Sequence, residues 1–304
     1  MSLLVVGSVA FDAVKTPKGS VDRMLGGSAT YFSVAASYFT PVRVVGVVGE
    51  DFGHEHLQVF SERGIGTEGL ERVPGKTFFW SGEYSKNLND CRTLDTQLNV
   101  FATFHPKLPP EYRQSPYLFL ANIDPELQWS VQSQMQSPVL IAGDTMNFWI
   151  EGKRAELEKT LKRVHILIIN DSEARLLSRE YNLSRAARVI RAMGPDLVVI
   201  KRGDNGASLF RDGETFSTSA LPIEEVYDPT GAGDSFAGGF MGYLASQRTA
   251  VDNLSRSTLR RAIIYGSVMG SFAVERFGLE RLRQLTQEEI AARFQEFRHL
   301  THFE

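Results

Sequence analysis

The chain has 304 residues, 42% hydrophobic and 23% charged, with a formal net charge of −3. Those values fit one large globular unit with a sizeable core, and they exclude the basic balance of a nucleic-acid binder or a polybasic membrane-surface protein. A single cysteine, Cys91, rules out an intrachain disulfide and a thiolate metal centre and fits a reducing, cytoplasmic setting.

In chain order, the apolar run 3–9 reads as a buried strand rather than a signal peptide, because no basic segment precedes it. Runs 42–48, 117–121, 139–142, 166–169 and 197–201 read as further strands, most of them continuously apolar, as strands covered on both faces are. Helical patterns fall between them at 28–39, 55–63, 126–136, 151–163 and 172–180, and again at 234–246, 258–276 and 287–299. This alternation predicts an α/β fold, a three-layer α/β/α sandwich around a mostly parallel central sheet. Two stretches break the rhythm, at about 13–24 and 76–105, and read as strand insertions forming a small β-sheet lid or a dimer contact. No apolar stretch approaches the length of a membrane-spanning helix, so a soluble protein without membrane partners is expected.

The segment with the most chemistry is Asp228-Pro229-Thr230-Gly231-Ala232-Gly233-Asp234, immediately before a helix. Gly231 and Gly233 leave the main chain uncovered and permit positive φ, so their N–H groups can converge with the helix's own N-terminal amides on an anion. Asp234 stands at the lip of that hole, where a carboxylate can take a proton from an attacking hydroxyl during phosphoryl transfer. Asp228 is a second carboxylate near the turn, a candidate for holding magnesium or a monovalent cation. A lone Gly-x-Gly followed by Asp would read as a tight turn with a capping aspartate; the full run is more specific.

That run resembles the C-terminal signature of the ribokinase-like, PfkB-type carbohydrate kinases, with Pro229 where the family usually has Thr. The resemblance implies that Asp234 is the catalytic base and that the amides of Gly231, Ala232 and Gly233 form the anion hole. It extends over nearly the whole chain. Gly26-Gly27-Ser28-Ala29-Thr30-Tyr31 is similar to the family's N-terminal Gly-Gly motif, and Asp12 matches the aspartate that grips acceptor hydroxyls. Asn170-Asp171-Ser172-Glu173 matches an Asn-x-x-Glu motif that orders magnesium and phosphate through water, so Glu173 is an indirect metal candidate beside Asp228. Lys201, Gly203 and Gly206 fall in the loop that lies against the nucleotide, Thr230 joins them, and 265–278, with Ser267, resembles the helix and turn closing over adenine. The implied cofactors are ATP and Mg2+, with K+ as the monovalent candidate, and a homodimer through the lid strands is the implied assembly.

The acceptor side departs from the pattern. Tyr31 stands where ribokinase-like enzymes carry Asn, and the segment 144–149 matches the Asp-x-Asn-x-Arg of sugar-acid kinases without its Arg. A neutral acceptor follows, since a carboxylate would lack its partner. Gln97, Asn99, Asn122, Asn147 and Trp149 are candidates for a polar, aromatic pocket. A neutral sugar or cyclitol is the first reading and a nucleoside the second; a catalytically silent binding member of the fold is the reading of another class. Gly75-Lys76-Thr77 is not a P-loop, because position 70 is Leu and a strand follows. His54 and His56 read as a helix start, not a zinc pair.

Overall fold

The structure is a computed structural model that describes residues 2–301. Among these the strands are β1 (Leu3–Val6), β2 (Ala10–Thr16), β3 (Gly19–Gly26), β4 (Val42–Val48), β5 (Gly66–Arg72), β6 (Phe78–Tyr84), β7 (Cys91–Gln97), β8 (Tyr117–Leu120), β9 (Leu140–Gly143), β10 (Ile166–Asn170), β11 (Leu197–Lys201), β12 (Ala207–Arg211) and β13 (Glu214–Thr218). The helices are α1 (Ser28–Ala36), α2 (His54–Ser61), α3 (Pro125–Gln134), α4 (Asn147–Gly152), α5 (Arg154–Leu161), α6 (Asp171–Ser178), α7 (Leu183–Arg191), α8 (Ala232–Ser246), α9 (Arg256–Ala273), α10 (Glu280–Arg283) and α11 (Gln287–Thr301). His302, one of the six histidines, lies outside the described residues.

The main sheet runs β13-β12-β11-β10-β9-β8-β1-β4-β5. Its body is parallel, with Leu3 opposite Val42 on one side and Tyr117 on the other, and only the β11–β12 and β12–β13 pairings are antiparallel. Alternate residues supply opposite faces, as the period of a strand demands. Leu3, Val5, Ile166, Ile168 and Val199 pack under α1, α8 and α9, while Leu4, Val6, Leu167, Ile169 and Ile200 pack into two cores on the other face. This is the expected sandwich, with a ribokinase-like arrangement.

Each insertion folds into an antiparallel hairpin, β2–β3 and β6–β7, and the two are joined by parallel pairing of β2 with β6. The resulting sheet, β3-β2-β6-β7, is the small second sheet foreseen from the broken rhythm.

α8 is clamped between α1 and α9 because it lacks bulk on both sides. A methyl group at Gly238 would stand 2.5 Å from Phe32 O on α1, and one at Gly239 2.6 Å from Tyr265 O on α9. Close packing of three backbones fixes where the N-terminus of α8 points, which is over the carboxyl ends of the parallel strands. Ligands of open α/β sheets bind at that edge.

Candidate active site

Gly231 caps α8 with φ 73°, in the left-handed region, and its Cα lies directly against the ring of Tyr31. The helical ladder begins only with Ser235 N–H donating to Gly231 O at 2.8 Å. The N–H groups of Gly233 and Asp234 therefore lie in the first turn, which has no intrahelical acceptors. Ala232 N–H donates to Pro229 O at 3.2 Å. The amide of Ala232, expected to help form an anion hole, is thus engaged by the turn itself.

Asp234 is half-buried at this lip. Its carboxyl is pushed up to about 7, first by burial and then by the negative charge of Asp144, with the Lys201 ammonium pulling the other way. Lys201 ends β11, and its Nζ lies 3.6 Å from Asp144 and 3.0 Å from where a methyl group on Gly233 would be. Glu173, raised to about 8 by burial and by Asp144, completes a group of three carboxylates around one ammonium.

On the opposite side, Asp12 projects from β2 and is buried. Burial, then Asp228 and Asp234, raise it to about 7, while the N–H of Gly27 holds its carboxylate. Gly26 on β3 packs so closely against that carboxylate that a side chain there would displace it, and Gly27, φ 94°, opens α1. Tyr31, one turn along α1, is buried and its hydroxyl has no partner. Burial, then Asp12, Asp228 and Asp234, push that phenol well above its ordinary pKa. Asp12, Tyr31 and Asp234 thus converge from three separate elements.

The other lane begins at the ends of β10 and β11. Asn170 caps α6, its side chain accepting Glu173 N–H at 2.8 Å while Glu173 accepts Asn170 N–H at 2.8 Å. Gly203 and Gly206 have positive φ, and Arg202 N–H closes the turn on Gly206 O at 2.8 Å. The tip of the β6–β7 hairpin reaches this turn: Asn89 Nδ2 donates to Asp204 at 3.2 Å and its side chain lies over Gly203. Nearby, Thr230 Oγ1 donates to Tyr84 Oη at 3.3 Å. Two lid residues thus touch the two loops flanking this lane.

Other expected site residues have different surroundings. Ser267 Oγ donates back to Ile263 O at 2.9 Å within α9, so its hydroxyl serves its own helix. Gln97 lies on the exposed edge strand β7, its amide donating to Asp95 at 2.7 Å. Asn99 Nδ2 donates to Thr77 O at 2.9 Å and props the base of the hairpin. Asn122 stands at the end of β8, its oxygen accepting Trp149 Nε1 at 3.0 Å, and Asn147 is exposed at the start of α4. Asp228 is fully buried and staples two loops, accepting Thr230 N–H at 2.9 Å and Gly278 N–H at 3.1 Å.

Asp144, Tyr84 and Asn89 were not among the expected site residues. Asp144 had a visible signal, a carboxylate directly after an apolar strand. No local pattern marks the other two, which reach the site only through the fold of the lid. Among the described residues no group of three carboxylate, imidazole or thiol side chains is placed to hold a metal ion directly, and no helix is long and apolar enough to cross a membrane.

Residues 126–284 match the family model described as pfkB family carbohydrate kinase. The chain is 30% identical over 268 residues to a cytidine kinase of Thermococcus kodakarensis, covering 86% of this chain and 95% of that protein. It is 24% identical to an inositol 3-kinase of Zea mays, covering 91% and 73%. Its fold matches the solved nucleoside kinase of Burkholderia thailandensis in complex with inosine, with a TM-score of 0.76, 19% identity, and 97% and 96% of the two chains covered. With the fold, the glycine turn and the sequence match in agreement, the chain belongs to the pfkB family of carbohydrate kinases.

Proposed function

We propose that the protein transfers the γ-phosphoryl group of ATP to a hydroxyl of a nucleoside, with Asp234 as the base. The observation that carries this is the placement of the Asp234 carboxylate, raised to about 7, between Asp12 on one side and Lys201 with the open turn of α8 on the other. A base tuned near neutrality accepts a proton and still drives its transfer. The acceptor hydroxyl gives its proton to Asp234, its oxygen bonds to the γ-phosphorus, and the bond to the bridging oxygen breaks, releasing ADP. The turn at Gly231 and Gly233 stabilises the charge on the migrating group.

Three carboxylates, Asp12, Asp228 and Asp234, act on one another on the acceptor side, and no cation is among the groups that shift Asp12. That environment favours a neutral, hydroxyl-bearing acceptor over a sugar acid or sugar phosphate. The similarity to a cytidine kinase over most of the chain supports the nucleoside reading. A cyclitol or neutral sugar is the second reading, supported by the similarity to an inositol 3-kinase.

In this proposal ATP lies along Asn170, Lys201, Gly203, Gly206 and Thr230. The carboxyl groups of Asp144, Glu173 and Asp234 around Lys201 fit a divalent cation carried in with the phosphates, Glu173 acting through water. Bound there, Mg2+ would supply charge neutralisation on the phosphates. Asp228, buried and held by the amides of Thr230 and Gly278 with no cationic side chain bonded to it, fits a monovalent cation such as K+. The outer edge of β7, exposed along its length, is the surface a homodimer would use.

The test is incubation with γ-labelled ATP and a panel of nucleosides, cyclitols and neutral sugars. A labelled nucleoside monophosphate is the expected product. Label found only in a cyclitol or sugar would favour the second reading, and acceptor binding with no labelled product would overturn both.

A further inference from the structure

Asp144 and Lys201 reach over the end of β10 from its two neighbours, β9 and β11, and meet at 3.6 Å with side chains only 8% and 16% exposed. Asp144 is rigidly placed. One carboxylate oxygen accepts Thr145 N–H at 2.8 Å, its own N–H donates to Leu120 O at 2.9 Å, and its carbonyl accepts Gln128 Nε2 at 3.0 Å. Its second oxygen faces Lys201 at a distance too long for a full hydrogen bond. The ammonium is therefore held by charge while its other flank looks onto Gly233, 3.0 Å from the position of a methyl group there. Any anion seated in the turn would meet it.

Three carboxylates compete for this single ammonium: Asp144, Glu173 and Asp234. Glu173 already accepts the Asn170 amide. Released from Asp144, a flexible lysine would be drawn to Asp234, pairing with the base and covering the turn.

Building on the kinase reading above, we propose that Lys201 is the cationic wall of the anion hole, touching the transferring phosphoryl group, and that Asp144 is the positioning residue that holds this ammonium over Gly233 and away from Asp234. Asp144 itself touches neither reactant. Its effect is exerted through Lys201, so the two residues are energetically coupled.

The test combines Asp144→Asn, Lys201→Met and the double variant, assayed with γ-labelled ATP and a mixture of cytidine, inosine, myo-inositol and ribose. Binding of a non-hydrolysable ATP analogue is measured alongside. Lys201→Met is expected to lose about 10²-fold in turnover, the scale of one charge-stabilising donor. Asp144→Asn is expected to lose about 10- to 100-fold, as positioning partners do, while the analogue's Kd changes less than about threefold. In the Lys201→Met background, Asp144→Asn is expected to add less than about threefold. Wild-type turnover in either single variant, or losses that simply multiply in the double variant, would overturn the proposal. Should Asp144→Asn not fold, unchanged turnover of Lys201→Met still overturns it. Absence of transfer by the unmodified protein would instead sink the kinase reading on which it rests.

Discussion

Tyr31 lies directly against Gly231, so that a side chain on the first residue of the glycine turn would run into an aromatic ring. The contact joins α1, which carries the Gly-Gly motif, to the N-terminus of α8, which carries the base. Gly231 also holds φ 73°. Gly231→Ala therefore meets both a steric and a backbone obstacle, and is expected to lose at least about 10²-fold in turnover with about 1–2 kcal/mol of stability. Steady-state assays with urea unfolding check both.

The same tyrosine carries a buried hydroxyl with no hydrogen-bond partner. Such a group costs roughly 1–3 kcal/mol when left unmade. Tyr31→Phe is expected to raise the melting temperature of the ligand-free protein by a few degrees and to raise KM for the acceptor. Equal stability with unchanged KM would show that the hydroxyl finds a partner elsewhere.

The lid touches the second lane through Tyr84 to Thr230 and through Asn89 to Asp204. The Asn89 contact is exposed and the Tyr84 contact is a single half-buried hydroxyl pair, so the global stability should depend little on them. Asn89→Ala and Tyr84→Phe are each expected to lower turnover about three- to tenfold through misalignment of the bound groups. Calorimetry should show melting within about a degree of the unmodified protein.

Asp12 and Asp234 are both raised to about 7 and Glu173 to about 8. Asp234 must be ionised to accept a proton, so kcat/KM should rise with pH up to about 7 and level off above it. The stability effect has the opposite sign. A carboxyl whose folded pKa exceeds its unfolded value stabilises the fold fully below the unfolded pKa, and that contribution is lost as pH rises through the folded one. These groups should therefore make the ligand-free protein less stable at pH 8.5 than at pH 5.5. Asp234→Asn should flatten part of that decline and melt higher at pH 8.5, which a melting series with pH will show.

Much of this was legible in the sequence. The continuously apolar strands, the helix starts and the run from Asp228 to Asp234 all have local causes, and they occur where expected. The strand read as 3–9 stops at Val6, where Gly7 N–H turns to Val45 O at 3.2 Å. The single helix read over 151–163 breaks into α4 and α5 at Lys153, whose backbone leaves the helical region while its ammonium pairs with Asp124 at 2.7 Å. The β12–β13 hairpin went unread, although Asp212-Gly213 marks its turn and Gly213 takes φ 64° there. β5 is half-exposed and mixed in character, and α7 is short and follows α6 almost at once.

Around the candidate site, Gly231 takes the positive φ its run suggested and Asn170 caps the helix that follows its strand. Side chains reaching across the fold were less legible. Ser267 sits on the expected helix yet bonds to its own turn, and Gln97 and Asn99 belong to the lid but bond within it. Asp144 becomes a site residue only because β9 and β11 flank β10, a relationship of sheet order rather than of sequence spacing.

The most direct measurement is the single-turnover transfer of label from γ-labelled ATP by Asp234→Asn, with analogue binding measured on the same sample. A rate lowered about 10²- to 10⁴-fold with intact binding is the predicted result. A rate matching that of the unmodified protein would contradict the assignment of Asp234 as the group that takes the acceptor's proton.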